Sequence, residues 1–243
     1  MLAIYKREFK SYFQSMIGYV FIAFLALFVG IYFMAYNLTG GYPYFSYCLY
    51  GAMFIFLIAV PILTMKCFAE ERKSKTDQLL LTAPVRIVDI VVGKYLAMVS
   101  VFLIPMVMFC FYPLVIKMNG TAYLKVDYAA IFAYFLLGCV YIAIGMFLSA
   151  LTESQIIAAV STFAVLLVLY LWDGLISFLP SNTVGTFLSG TMEKMELTHV
   201  FTDIFSSNLL SVSGLIYYIS LIVLFIFLTV QSIQKRRWSG SVK

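Results

Sequence analysis

The side chains that could do chemistry in this sequence are concentrated in one short segment, residues 70–84. Six of its first eight residues are charged, three consecutive leucines follow at 79–81, and Pro84 ends the segment. Charged side chains orient a partner through ion pairs. Three adjacent leucines on a helix cannot all face one side, so some face lipid and others face a partner. The pattern predicts a short helix that lies on a membrane and binds a soluble partner; the alternative is a solvated loop whose leucines dip into lipid.

Sequence motifs for catalysis, nucleotide binding and metal binding are absent from the chain. It has no Gly-x-x-x-x-Gly-Lys-Ser/Thr run to cradle phosphates, no Gly-x-Ser-x-Gly elbow, and a single histidine, His199. Its four cysteines are widely spaced and predict neither a disulfide framework nor a metal site. We therefore expect that the chain binds no cofactor and is not an enzyme, because a membrane enzyme needs reactive groups that converge within the bilayer.

One acid, Asp173, lies well inside an apolar run, in the sequence Trp-Asp-Gly. A carboxylate at the bilayer centre costs about 2.5–3.5 kcal/mol on insertion scales, so such residues are functional by default. Asp173 falls in the final third of its predicted span. Two interpretations are open: a position at the outer membrane interface, or a lining role in a substrate path.

The composition predicts an all-α membrane protein. The chain is 63% hydrophobic and only 11% charged, more apolar surface than a soluble fold of this size can bury. Its apolar runs are continuous, which favours helices over a barrel of alternating strands. Since a span needs about 20 residues, we predict six transmembrane helices. They cover residues 17–37, 46–66, 91–116, 128–150, 155–178 and 214–232.

The basic residues predict the orientation of these spans. Six spans put both termini on one side, together with thirteen of the sixteen Lys and Arg residues. The other side holds Lys117, Lys125 and Lys194. Because basic residues favour the cytoplasmic side, both termini are predicted to be cytoplasmic. The run at 235–237 directly follows a span, so it is interpreted as a membrane-flank anchor and not as a nucleic-acid site.

The N-terminal residues 1–16 predict an amphipathic interfacial helix. Phe9 belongs to an apolar stripe at helical spacing, Arg7 and Lys10 face away from the stripe, and Lys6 lies on its flank. Such a helix lies among lipid headgroups with its cations outward. The alternative is a plain basic flank of the first span.

The rest of the chain contains no repeat or linker, so we predict a single transmembrane domain over 1–243. Residues 67–90 form its cytoplasmic segment, and residues 179–213 an external segment. The external segment is too apolar for a long polar loop, which favours short helices before the last span. Gly145 and Ser149 have the spacing of small residues that allows two helices to approach closely.

Several motifs occur along the chain in a fixed order. They are Lys6-Arg-Glu-Phe-Lys-Ser-Tyr-Phe13, Phe68-Ala-Glu-Glu-Arg-Lys-Ser, Thr76, Leu79-Leu-Leu-Thr-Ala-Pro-Val85, Gly93-Lys94, Ser149-Ala-Leu-Thr-Glu-Ser-Gln-Ile-Ile-Ala158 and Arg236-Arg-Trp238. Together they resemble the motifs of the permeases of type-2 ATP-binding-cassette exporters, and most closely those of the bacterial branch that includes gliding-motility-associated permeases. Two positions depart from the family pattern, which usually has glycine at Lys75 and glutamate at Gln78.

The resemblance implies a permease in a bacterial cell membrane that pairs with a second permease chain, identical or related. Two cytoplasmic ATPase subunits bind ATP and magnesium, and the segment after span two contacts them as a coupling helix. The ATPase-contacting residues would be Glu70, Glu71, Lys73, Lys75, Thr76, Leu79, Leu80 and Pro84, with the interfacial helix beside them. The alternative functions are an ATPase-independent membrane transporter or an assembly scaffold.

The predicted orientation can be tested by cysteine labelling of a variant that lacks the native cysteines. Cysteines at Ser74 and Ser239 should react with an impermeant reagent only after the membrane is opened, because they lie on the basic side. Cysteines at Thr121 and Thr191 should react from outside. Labelling of Ser74 from outside would contradict both the orientation and the contact with a cytoplasmic partner.

Overall fold

The computed structural model describes residues 1–74, 76, 85–172 and 212–240, and only the backbone of the last four of these. The described regular structure is entirely helical, as the apolar runs predicted. Long apolar runs form helices because lipid offers no partner for a free backbone N–H or C=O group. The all-α class is therefore confirmed for the described part of the chain.

The described helices are numbered here in chain order. The first span is one helix with a wider final turn, whereas spans two and three are built from shorter segments. The helices are α1 Leu2–Gln14, α2 Ile17–Phe33 with a π-helical turn Met34–Thr39, α3 Ser46–Gly51 with a 3-10 turn Ala52–Ile55, α4 Phe56–Thr64, α5 Ala69–Lys73, α6 Ile87–Phe109, α7 Tyr112–Asn119, α8 Leu124–Leu151, α9 Gln155–Tyr170 and α10 Val212–Gly240.

Five segments of the described structure are long and apolar enough to cross a membrane, which makes this a multi-pass membrane protein. They are Ile17–Thr39, Ser46–Lys73, Ile87–Asn119, Leu124–Leu151 and Val212–Arg236. The predicted span 155–178 corresponds to α9, whose 16 residues reach about 24 Å against a hydrocarbon core of about 30 Å. The described structure stops at 172 there, so a sixth span stays a prediction.

Helix α8 lies at the centre of the bundle and packs against α4, α6, α9 and α10. The contact with α4 and α6 is aromatic. The Phe56 ring centroid lies 4.4 Å from that of Tyr134 and 5.7 Å from those of Phe102 and Tyr141. The Tyr134 hydroxyl donates a hydrogen bond to the carbonyl of Ala52, at 3.2 Å. This stack fixes the middle of the bundle, where the side chains are apolar.

The helices define two ends of the bundle. The inner end, predicted to be cytoplasmic, carries α1, α5 and the turn between α8 and α9, and the outer end carries the loops before α3 and α8. A sharp turn at Met16, whose φ of 55° is left-handed, separates α1 from α2. Helix α1 then packs against α6 and α2. A helix over Leu2–Gln14 is thus present, and its position among lipid headgroups stays a prediction.

The predicted close approach at Gly145 and Ser149 of α8 is confirmed. A Cβ atom added to Gly145 would lie 2.5 Å from Oγ1 of Thr64 in α4. Ser149 is fully buried one turn further along. Because Thr64 Oγ1 donates to the Val60 carbonyl at 2.9 Å, its side chain cannot turn aside without losing a bond.

We predict that Gly145→Ala destabilises the protein, although alanine is normally the better helix former. The added methyl group overpacks the α4–α8 contact, at a cost of about 1–3 kcal/mol. The matched control is Gly30→Ala, where the nearest atom to the added Cβ is 3.6 Å away. Unfolding midpoints in detergent should fall for the first variant and stay level or rise for the second. A midpoint for Gly145→Ala at or above that of the wild type would contradict the packing argument.

Candidate functional site

The inner end contains a group of four charged side chains, Arg7, Glu8, Glu71 and Lys94, which we call the charge quartet. Lys94 is only 1% exposed. Its Nζ lies 2.9 Å from Glu71 Oε1 and 3.3 Å from Glu8 Oε2. The same nitrogen donates a hydrogen bond to the carbonyl oxygen of Cys67 at 2.9 Å. The buried ammonium group therefore has an acceptor for each of its three protons.

Arg7 closes the charge quartet on its exposed side. Its Nη2 lies 2.7 Å from Glu8 Oε1 and 3.2 Å from Glu71 Oε1, and 54% of its side chain is exposed. The hydrogen bond to Glu8 raises the pKa of Arg7, so the guanidinium keeps its charge. Two cations and two carboxylates cancel, which removes most of the penalty for taking a charge out of water.

Three helices bring the charge quartet together. Tyr5 and Glu8 share one face of α1, because residues three or four apart on a helix are neighbours. The Tyr5 hydroxyl lies 3.0 Å from Ser100 Oγ of α6. At Gly93 an added Cβ would lie only 3.3 Å from Cγ2 of Ile4, so the absence of a side chain lets α1 come close. Since Glu71 belongs to α5, the quartet joins α1, α5 and α6.

A cleft of about 360 Å³ lies between α1 and α5, beside the charge quartet. The quartet lines it, together with Ser11, Gln14, Lys66, Glu70 and Ser74. Lys66, in the turn before α5, forms an ion pair of 3.4 Å with Glu70. Hydroxyl, amide and charged groups of both signs surround the opening, so the cleft suits polar groups of a partner and not an apolar chain.

Two sequence motifs that are far apart in the chain meet beside α5. Ser149 Oγ of α8 accepts hydrogen bonds from the backbone N–H groups of Phe68, at 3.2 Å, and Ala69, at 3.3 Å. The Arg72 guanidinium lies 2.6 Å from Glu153, in the turn between α8 and α9. The inner end thus has a second polar junction, which joins α5 to the end of α8 and to the α8–α9 turn.

The residues predicted to contact an ATPase differ in their surroundings. Glu71 faces inward in the charge quartet, and Glu70 pairs with Lys66. Lys73 and Thr76 are exposed, and the Thr76 N–H donates to the Glu71 carbonyl at 3.0 Å. Their contact with a partner stays a prediction. Lys75, Leu79, Leu80 and Pro84 lie outside the described residues, as does Asp173.

The residues predicted for the interfacial helix lie on two faces of α1. Lys6 and Lys10 are exposed, as predicted for outward cations. Phe9 is half-buried, with its ring 6.0 Å from that of Tyr5. Arg7 is exposed too, but its guanidinium folds back onto the charge quartet.

Sequence reasoning missed Glu8, Arg72 and Lys94 as site residues. Lys94 was counted only as one of the basic residues of the inner side. Its burial was not predicted, although it lies seven residues into α6. A lone charge within the apolar predicted span 91–116 was the available signal, because such residues face the bundle interior and pair there. Glu8 carried a weaker signal, as an acid on the apolar side of an amphipathic helix.

A further buried acid, Asp127, was missed at the outer end because the predicted span began at 128. Its Oδ1 accepts a hydrogen bond from the Phe45 N–H at 2.8 Å. Asn37 Nδ2 donates to the carbonyl of Tyr44, on the other side of the same peptide unit, at 3.0 Å. The two side chains hold this peptide between α2 and α8, which fixes the start of α3.

Most of the chain matches a known protein family. A family model described as ABC-2 family transporter protein matches residues 37–231, well over half of the chain. The matched range begins at Asn37 and includes α5, α6 and the α8–α9 turn, but not α1. No curated protein and no solved structure gives a significant match.

We predict that Lys94→Met destabilises the protein by about 3 kcal/mol, because it leaves Glu8 and Glu71 with one exposed cation between them. Unfolding in detergent measures the change, with exposed Lys117→Met as the control in the same span. Adding Glu8→Gln and Glu71→Gln to Lys94→Met should recover most of the loss, because the penalty comes from unpaired charge. A Lys94→Met protein as stable as the wild type would contradict this account of the charge quartet.

Proposed function

The chain belongs to the ABC-2 family of transporter proteins, and from this premise we propose that it is the permease subunit of an ATP-driven exporter in a bacterial cell membrane. Family membership gives the coarser function, a transmembrane permease of an ABC transporter. The proposal adds the direction of transport, the cytoplasmic ATPase subunits and a second permease chain. It also assigns ATP and magnesium to the ATPase subunits, with no cofactor bound by this chain.

The observation that carries the proposal is the charge quartet, which locks α5 onto α1 and α6. A connecting loop needs no buried ion pairs, whereas a segment that receives force from a partner must be held firmly to the helices it moves. Lys73, Ser74 and Thr76 of this segment are exposed. The segment therefore offers exposed side chains to a partner, while Glu71 fixes it to the bundle.

The proposed coupling runs from the ATPase to the third span. When ATP binding and hydrolysis move the ATPase subunits, α5 moves with them. Glu71 then moves Lys94, and with it α6, because separating this buried ion pair would leave a charge without its partner. Helix α1 follows through Glu8. Lys6 and Lys10 face lipid headgroups, which keeps α1 in the interfacial layer during this motion.

The substrate path is proposed to lie between two permease chains. One bundle of this size, filled at its centre by the aromatic stack around Phe56, has little room for a shielded path of its own. Two chains, identical or related, would enclose a path between them. Asp173 is a candidate lining residue of that path. Lipid surrounds the outer faces, and no nucleic acid takes part.

The test is purification of the chain from native membranes in mild detergent, followed by mass spectrometry and an ATPase assay. A subunit with a Walker-type nucleotide site should be present, and the complex should hydrolyse ATP faster than that subunit alone. Crosslinking before extraction should join two permease chains. A strictly monomeric particle that contains no ATPase and still transports would overturn the proposal.

We predict that Thr76→Trp, assayed in the same complex, keeps the permease in the membrane but abolishes its stimulation of ATP hydrolysis. Thr76 is exposed beside α5, and added bulk there blocks a packed protein contact while an open loop accepts it. Thr121→Trp, exposed at the outer end, is the matched control and should keep full stimulation. Normal stimulation in Thr76→Trp would refute the contact between this segment and the ATPase.

A further inference from the structure

The turn between α8 and α9, residues 152–154, is held by an arginine from α5. Arg72 Nη2 lies 2.6 Å from Glu153 Oε1, and its Nη1 donates to the carbonyl of Leu151 at 3.1 Å. The Arg72 side chain is only 17% exposed, whereas Glu153 is 76% exposed. An ion pair whose acid is this exposed contributes little stability by itself. The contact is therefore held mainly by the hydrogen bond to the Leu151 carbonyl and by the burial of the Arg72 side chain.

The end of α8 explains why an arginine binds there. The last carbonyl groups of a helix have no partner within it, and the end carries partial negative charge. The Leu151 carbonyl is bonded by Arg72, and the Ala150 carbonyl accepts a hydrogen bond from Arg236 of α10. Cations from two other elements thus cap α8, and one of them belongs to the proposed coupling segment.

Arg72 contacts a residue beyond the end of α8, whereas the neighbouring contact of α5 is with a residue inside α8. Ser149 Oγ accepts hydrogen bonds from the N–H groups of Phe68 and Ala69, which ties α5 to the body of α8. Glu153 lies beyond the end of α8, two residues before α9 begins at Gln155. Arg72 therefore joins α5 to the turn itself, because its two-pronged guanidinium bonds the last carbonyl of α8 and the middle residue of the turn at once.

We propose that Arg72 is a positioning residue that makes α5 and the α8–α9 turn one unit, so that α9 moves with α5. This rests on the proposed function, in which a partner moves α5. Helix α9 packs against α4, α8 and α5 and runs from this turn toward the outer end. Movement of α5 would thus reach the outer end by a second route, separate from the one through Lys94 and α6.

The junction is tested first in the purified full-length chain, without a partner. A single cysteine at Ser154, on a background free of native cysteines, reports opening of the turn through its rate of reaction with a soluble maleimide. Arg72→Ala should raise this rate roughly five- to tenfold, because it removes charge-assisted hydrogen bonds that hold a partly exposed turn. Arg86→Ala, an exposed arginine at the start of α6, should leave it unchanged. An unchanged rate in Arg72→Ala overturns the proposal.

The transmission is tested in the complex with its ATPase. A bimane fluorophore on a cysteine at Leu171, at the outer end of α9, should change its emission when MgATP is added. Arg72→Ala should abolish this change, and Arg86→Ala should keep it. A change that persists in Arg72→Ala, or no change in the parent complex, overturns transmission through α9. If no ATPase accompanies the chain, the proposed function fails, while the Ser154 labelling still decides whether Arg72 holds the turn.

Discussion

The arrangement of the inner end depends on the cost of burying the ammonium group of Lys94. A charge removed from water is tolerated only where opposite charges and hydrogen-bond acceptors replace the water. Glu8 and Glu71 supply the charges and the Cys67 carbonyl supplies a further acceptor. The ring of Phe68, 5.1 Å from the Lys94 nitrogen, adds a cation–π contact. Because these groups come from different helices, the pairing of one lysine dictates where α1 and α5 must lie against α6.

The middle and the ends of the bundle are held by different forces. In lipid the hydrophobic effect does not drive helices together, so association depends on close packing and on polar contacts. The middle has packing, since the rings around Phe56 fill the centre, and Gly145 of α8 lies against Thr64 nearer the inner end. The ends have directional bonds, the charge quartet at one and the Asn37–Asp127 bridge at the other. The polar bonds at the two ends therefore fix the register of the helices, and the apolar side chains in the middle pack in the register that these bonds set.

Features set by residues close together in the sequence could be predicted, whereas contacts between residues far apart in the sequence could not. Continuous apolar runs predicted the five segments that can span a membrane, and the spacing of Gly145 and Ser149 predicted a close helix contact. The pairing of Lys94 with Glu8 joins residues more than eighty positions apart, and no local pattern contains it. Asp127 was missed for a related reason. A carboxylate at the boundary of a predicted span is expected to face water, and its partner, the Phe45 N–H, is distant in the sequence. The contact between Arg72 and Glu153 joins two motifs that the sequence marked separately but could not place side by side.

The inward position of Glu71 changes how the segment after span two can work. The sequence predicted its charges as a set of contacts for a partner, yet one acid is bonded to Lys94 and Arg7, and one arginine to the α8–α9 turn. A charge bonded within the chain cannot contribute a second full ion pair to a partner without breaking the first. In the proposed function, recognition therefore falls to the exposed side chains, Lys73 and Thr76 among those described, while Glu71 and Arg72 hold the segment to the bundle. In the proposed function, a helix divided in this way converts a contact with its exposed side chains into movement of the helices behind it.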